Sequence, residues 1–443
     1  MKHVTRREFL GTSAGVGAAA LGATGTLTKS VLAWAGGKDS IKVGLIGCGG
    51  RGTGAATQAL AADSGTILYA MADAFPGRIE SSLAGIENDH KEREAAGTAN
   101  ATLGEKIQVP AHRRFTGLDA YKQVIAECDM VILTTPPGFR PTHLAAAVEA
   151  GCHVFCEKPV AVDGPGLRSV LESVKVARAK NLTLMSGFCW RHQNQVVQCF
   201  EKLLAGGIGD IASIQANYNT TGWIQPKPRQ PEWTDAEFMV RNWHYFTPLS
   251  GDHIVEQAVH AIDWIAWVHR DVPPVRCTAS GGRMTRPNVP ETGNVWDNFS
   301  VIYEYADGSR GYHMCRHWPE SASDNTAYIT GTRGRCTMDP WRQRHVIEGE
   351  SPWTGSATAN DMYQSEHDTL FARLRGGDIY NDGEHMAHST LMAIMGRMAA
   401  YTGQVVTWEQ ALNSNEDLLA PHPWELGPRT IPTLPVPGRT RLV

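Results

Sequence analysis

The chain has little charge imbalance and no cysteine spacing that would suit a metal. Its 443 residues carry 41 Lys and Arg against 45 Asp and Glu, a formal charge of −4. Without a basic run it lacks the footprint that phosphate backbones require, which excludes a nucleic-acid partner. Nine cysteines are present, an odd number, and none forms a Cys-x-x-Cys pair. That excludes zinc spacing and a disulfide framework, so no metal is expected and buried free thiols are. Beyond the N-terminus no apolar run approaches the length that crosses a bilayer. Hydrophobic residues at 42% and charged residues at 19% exclude a disordered or fibrous chain. The length suits two globular domains.

The N-terminus carries what reads as an export label. Paired arginines in Thr5-Arg6-Arg7-Glu8-Phe9-Leu10-Gly11 precede an Ala/Gly-rich run that ends near Leu27. Ala33-Trp34-Ala35 then offers a small-x-small cleavage site. Residues 1–35 are therefore expected to be a twin-arginine signal, whose apolar run is too short and glycine-rich to span a membrane. The expected location is the periplasm.

After the label, strands and helices alternate. KVGLIGCGGRG reads as strand, glycine turn and helix start; TILYAMADA and HVFCEKP read as strands, and THLAAAVEAG as a helix. This is the pattern of a parallel sheet with right-handed crossovers, an α/β Rossmann domain over 36–160. Past about residue 205 longer strands take over, with Asp307-Gly308 and Thr332-Arg333-Gly334 at hairpin positions. An α+β domain with a large, mostly antiparallel open sheet is expected over 161–420, its late helix able to pack back on the first domain. A proline-rich tail follows over 421–443.

Gly47-Cys48-Gly49-Gly50-Arg51-Gly52 matches Gly-x-Gly-x-x-Gly between a strand and a helix. The first glycine permits the turn, the second admits a pyrophosphate, and the third lets helix pack on strand. Asp73 ends the next strand, where a carboxylate accepts bonds from both adenosine ribose hydroxyls and repels a 2′-phosphate. NAD is the expected cofactor. A cap for the following helix is the plain alternative for Asp73.

TTPPGFRPTHLAAAVEAGCHVFCEKPVA and SGDHIVEQAVHAIDW together resemble two stretches of the Gfo/Idh/MocA oxidoreductases. The resemblance covers nearly the whole mature chain. It implies sugars, inositols or related polyols as substrates and a homodimer or homotetramer built on the open sheet. It places Lys158, beside Glu157, between nicotinamide and the reacting hydroxyl, and makes His260 the general acid or base. Glu256 stands where the family has Asp, one helical turn before His260. Thr134, Thr135 and Pro136 would line the nicotinamide ribose, and His143 is a further cofactor contact. Arg191, Tyr218, Tyr245 and His253 are expected at the substrate, with Arg316 and His317 as weaker candidates. Asp263 would support His260 or its helix.

The excursion IQPKPRQPEWTDAEFMVRNWHYFTPLSG is rich in aromatics whose faces suit sugar C–H faces, or which form a small core of their own. Outside the cytoplasm a dissociating NAD is lost. Holding it for hours needs an off-rate on the order of 10⁻⁴ per second, hence a dissociation constant near 10⁻¹⁰ M. Some exported relatives wrap an N-terminal arm over the adenosine. Here Gly36-Gly37-Lys38-Asp39-Ser40 is too short for one, so the excursion or the tail of a neighbouring subunit must supply the grip. The leading expectation is an NAD-dependent CH–OH oxidoreductase that recycles its cofactor in place. A redox-neutral glycoside hydrolase or lyase is second: VWDNFSVIYEYADGSRGYHMCRHW and ITGTRGRC look similar to the family's glycosidases, although SGDHIVEQ replaces their Tyr-Pro-Thr-His stretch. A non-catalytic carbohydrate-binding protein is third.

Overall fold

The computed structural model describes residues 40–443 except 223 and 357. The export label and its cleavage site lie outside the described residues. Six strands form the first sheet: β1 (Ile41–Ile46), β2 (Thr66–Asp73), β3 (Arg114–Thr116), β4 (Met130–Leu133), β5 (His153–Cys156) and β6 (Leu184–Ser186). Their order is β3-β2-β1-β4-β5-β6, and every pairing is parallel. Order reverses between β1 and β4, so a crevice opens beyond their C-terminal ends, where ligands of such sheets bind. The sheet runs on through Ser186, so the Rossmann domain extends past the boundary expected at 160. The helix Gly164–Ala179 is the crossover that carries the chain to β6.

The second sheet has nine strands. They are β7 (Ile211–Thr220), β8 (Arg276–Gly282), β9 (Asn298–Glu304), β10 (Arg310–His317), β11 (Ala327–Gly331), β12 (Gly334–Asp339), β13 (Arg344–Gly349), β14 (Trp353–Thr354) and β15 (Val406–Thr407). The order is β14-β13-β12-β11-β7-β10-β9-β8-β15, and only β7 and β10 pair in parallel. Both expected hairpins form: β9 turns into β10 at Gly308, whose φ is +86°, and Gly331 pairs with Gly334 across Thr332-Arg333. One face buries Ile214, Val301, Cys315 and Ile329 against helices; the other leaves Met314 and Tyr328 exposed.

Against the covered face lies the helix Gly383–Thr402, which buries seventeen of its twenty residues. A helix buried nearly all round is a core element rather than a surface one. Its fully buried Arg397 is satisfied by the Val162 carbonyl at 2.6 Å and Glu416 at 2.8 Å. The helix Met362–Gly376, which sequence patterning did not single out, packs Leu370, Phe371 and Leu374 into the far core of the parallel sheet. Its Arg375 holds Asp63 at 2.7 Å. All nine cysteines are buried free thiols. No described helix is long and apolar enough to cross a membrane.

Candidate active site

The glycine turn is shaped by contacts that a side chain would destroy. Gly47 has φ +99°, and a Cβ there would lie 2.7 Å from the Thr134 backbone. A Cβ on Gly52 would lie 2.0 Å from the Gly47 carbonyl oxygen, which is the close strand–helix approach the third glycine permits. Gly49 and Gly50 differ: a Cβ on either meets nothing within 4 Å. That open space lies at the start of the helix Gly50–Ala62, which no side chain caps. First-turn N–H groups and the helix dipole therefore face a volume that suits a pyrophosphate.

Around it is a cavity of about 430 Å³. Gly47, Gly49, Gly50, Arg51 and Gly52 line it together with Asp73, Thr134, Thr135, Pro136 and His143. Asp73 accepts from the backbone N–H of Cys48 at 2.8 Å and of Phe75 at 3.0 Å, which fixes its carboxylate at the lip. Thr134 donates its hydroxyl to the Gly47 carbonyl at 2.6 Å. His143 Nδ1 lies 3.1 Å from Thr135 Oγ1. Burial, then Arg140, lowers the His143 pKa to about 3, so the ring is neutral. The residues present fit NAD: room for phosphates at a helix start, a carboxylate for the ribose, and a neutral polar end.

Glu157 does not line this cavity. It pairs with Arg51 Nε at 2.7 Å and so ties the glycine turn to the end of β5. Next in sequence, Lys158 donates from Nζ to the Glu256 backbone carbonyl at 2.5 Å. Burial lowers the Lys158 pKa, while Glu256 and Glu157 oppose the shift.

A second cavity, of about 440 Å³, adjoins the first, and Ile224, His244 and Tyr245 line both. Tyr218, Thr220, Thr221, His253, Glu256, Gln257, Arg286 and His317 complete its polar lining. Glu256 is buried there, and desolvation raises its pKa to about 7 against the pull of Lys158 and Arg140. His253 keeps Nε2 unbonded and is held by Asp252 through Nδ1 at 3.2 Å. His317 Nε2 meets Gln257 Oε1 at 2.6 Å. Burial, then Lys158 and Arg286, lowers the His244 pKa to about 4. The cavity thus offers the neutral imidazoles of His244 and His317, two phenols and one carboxyl poised near neutrality, a set able to bond hydroxyls and move a proton.

Several expected positions are revised. Glu256 and His260 do not share one helix: His253–Glu256 and Val259–Val268 are separate, broken at Gln257 and Ala258. Neither Lys158 nor His260 lines either cavity; the His260 ring stacks on Trp190, with centroids 5.0 Å apart and planes at 18°. Burial, then Lys158, pushes its pKa well down. Arg191 is no substrate clamp. It grips Asp263 through two bonds of 2.9 Å and Asp271 through one of 3.1 Å, away from both cavities. Asp263 therefore serves Arg191, His385 and Ser389 rather than His260. Arg316 donates to the Ala322 carbonyl at 2.8 Å and takes no part. Asp252 is a buried cap that accepts from His253 and Trp296 N–H groups and the Tyr401 hydroxyl. Sequence reading missed His244, Gln257 and Arg286. His244 had a signal, as a polar residue between Trp243 and Tyr245; Arg286 lies in the loop after β8 and had none.

A doubly wound parallel sheet with this cradle at its reversal point defines a dinucleotide-binding protein of the Rossmann class. Residues 41–188 match the oxidoreductase family model for an NAD-binding Rossmann fold, and 197–337 match the Gfo/Idh/MocA C-terminal domain model. The two matches cover more than half of the chain, which belongs to the Gfo/Idh/MocA family. Among curated relatives, 2,7-anhydro-N-acetylneuraminate hydratase of Escherichia coli is 25% identical over 48% of this chain and 51% of its own length. The chain thus spans about half the length of that relative. Inositol 2-dehydrogenase of Rhizobium meliloti is 24% identical over 68% of this chain and 77% of its own. Levoglucosan dehydrogenase, solved with NADH and levoglucosan, superposes with a TM-score of 0.62 at 18% identity, covering 83% of this chain and 99% of that one. That likeness establishes the fold.

Proposed function

We propose that this protein is an NAD-dependent oxidoreductase acting on a CH–OH group of a sugar, inositol or related polyol, with its cofactor held tightly and restored in place. The observation that carries the reading is the seam: the cofactor-side and polar cavities meet at Ile224, His244 and Tyr245, with Lys158 and Glu256 in contact beside it. The inositol and levoglucosan dehydrogenase relatives support a polyhydroxylated substrate.

Bound NAD supplies the hydride acceptor. Everything else falls to the chain. Lys158 directs its ammonium at the reacting hydroxyl oxygen and favours the developing alkoxide. Glu256 takes the hydroxyl proton, since a carboxyl with a pKa of about 7 is half ionised at neutral pH. His260, expected as the base, is held neutral and weakly basic behind Trp190. Tyr218, His253 and His317 orient the remaining hydroxyls.

The test is to incubate NAD-loaded protein with a panel of inositols, aldoses and anhydrosugars and follow nicotinamide absorbance. A stoichiometric burst of NADH is expected with at least one of them. Absence of both reduction and exchange of the sugar's C–H hydrogen with solvent, with binding intact, leaves the carbohydrate-binding reading in its place.

A second reading has its own support. The relative that acts as a hydratase, together with a carboxyl poised near pH 7, favours a redox-neutral course. The ring carbon is oxidised, Glu256 removes the acidified neighbouring C–H proton, and elimination, addition of water and re-reduction follow. Exchange of that hydrogen with deuterated solvent, without net NADH, distinguishes it.

Twin-arginine export to the periplasm and a homo-oligomer on the open sheet face belong to the same proposal. Fractionation of cells expressing the full chain and native mass spectrometry test them.

A further inference from the structure

The excursion forms most of one wall of the cofactor-side cavity: Lys227, Val240, Arg241, Asn242, Trp243 and Tyr245 face the glycine turn across it. Phe75, Leu118 and Phe139, from the loops that follow β2, β3 and β4, line the same cavity and pack against the excursion. Over the Asp73 end, the guanidinium of Arg241 lies on the Phe75 ring at 3.9 Å. Behind this wall is a separate apolar core. It holds Phe238, Met239 and Phe246 of the excursion, and the C-terminal segment supplies Trp424, with Leu419, Leu426 and Ile431 packed on it.

Trp424 touches both sides of the cleft's frame without lining the cavity itself. Its ring meets Phe139 edge-on at 5.4 Å, and its indole N–H donates to the Leu419 carbonyl at 2.9 Å. Arg429 lies over the ring at 3.9 Å. The excursion helix is tied to the same segment through the Ala236 N–H, which donates to the Gly427 carbonyl at 3.2 Å. For the wall to lift from the adenosine half, this core must open.

We propose that residues 419–431 form an intramolecular strap that braces the excursion over NAD and sets its release rate, with Trp424 as the positioning residue. The inference rests on the NAD-dependent reading and gives it a physical agent: the grip comes from the chain's own C-terminal segment. The aromatic wall rises with the strap and falls with it.

The purified full chain, loaded with NAD, is diluted into an NAD-consuming enzyme, and bound NAD is counted at intervals. Wild type should hold its cofactor for a time on the order of hours. Trp424→Ala should release it about 10-fold faster or more, because such changes act chiefly on dissociation. Trp424→Phe, which keeps a ring against Phe139, should recover most of the retention. A Trp424→Ala protein that melts as wild type does and releases NAD no faster overturns the strap. If Trp424→Ala does not fold, Arg429→Ala decides: unchanged release overturns it, and faster release supports it. Wild type that empties within seconds also overturns it. Turnover with added NAD would then show that the oxidoreductase reading survives alone.

Discussion

Replacing Glu256 with Gln should harm turnover and help stability, and the two effects share one cause. The carboxyl is buried, and desolvation raises its pKa from 4.5 to about 7. The folded protein therefore keeps a proton that the unfolded chain gives up. As pH rises from about 4.5 toward 7, ionisation of the unfolded form drains stability; above 7 both forms are ionised and the deficit is complete. A shift of this size corresponds to about 3 kcal/mol at the most. Glu256→Gln keeps the shape and removes the titration. Its gain in stability should be near zero at about pH 4 and approach about 3 kcal/mol at about pH 8. Turnover should fall on the order of 10²- to 10⁴-fold, the usual worth of a positioned general base. In wild type the rate should climb with pH through an apparent pKa near 7. Urea denaturation at the two pH values and a pH–rate profile with a reducing substrate read both sides. Equal stabilisation at both pH values, or wild-type turnover in the variant, refutes the reasoning.

Other substitutions separate fold from site. Gly52→Ala forces a Cβ to 2.0 Å from the Gly47 carbonyl and should lower the melting temperature, whereas Gly49→Val fills open space and should leave melting unchanged while weakening NAD at least about 10-fold by calorimetry. Arg191→Ala strands the buried Asp263 and should cost about 3–5 kcal/mol in chemical denaturation, with no change in KM beyond what lost stability explains. Asp73→Ala removes the ribose acceptor and should weaken NAD by about 10- to 100-fold in a fluorescence titration, the worth of hydrogen bonds to a charged group.

The legible parts of this chain are those in which local chemistry dictates geometry. The turn at Gly47 needs a positive φ, and Gly52 needs a missing side chain, so both could be read directly. The alternating strands and the two hairpins were legible for the same reason. What sequence hid was long-range pairing. Arg191 looked like a clamp because it follows Trp190 near a strand end; its partners, Asp263 and Asp271, arrive from more than seventy positions away. The continuous apolar spacing through 253–268 masked the break at Gln257, which turns His260 toward Trp190 and leaves Glu256 facing the cavity. The Rossmann boundary expected at 160 falls before β6, which pairs in parallel with β5 and completes the sheet.

The lone parallel pairing of β7 with β10 has a consequence for how the molecule is made. β7 sits mid-sheet, flanked by β10 and β11, so its two neighbours leave the ribosome roughly a hundred residues after it does. Assembly of that sheet must wait, because distant strands pair slowly and leave edges exposed meanwhile. The nucleotide seat waits longer still. Its glycine turn is among the earliest segments translated, yet Arg51 shares its surroundings with Tyr363 and Glu366 of a much later helix. A chain stalled anywhere before that helix would own the fingerprint of a dinucleotide protein and lack the finished berth.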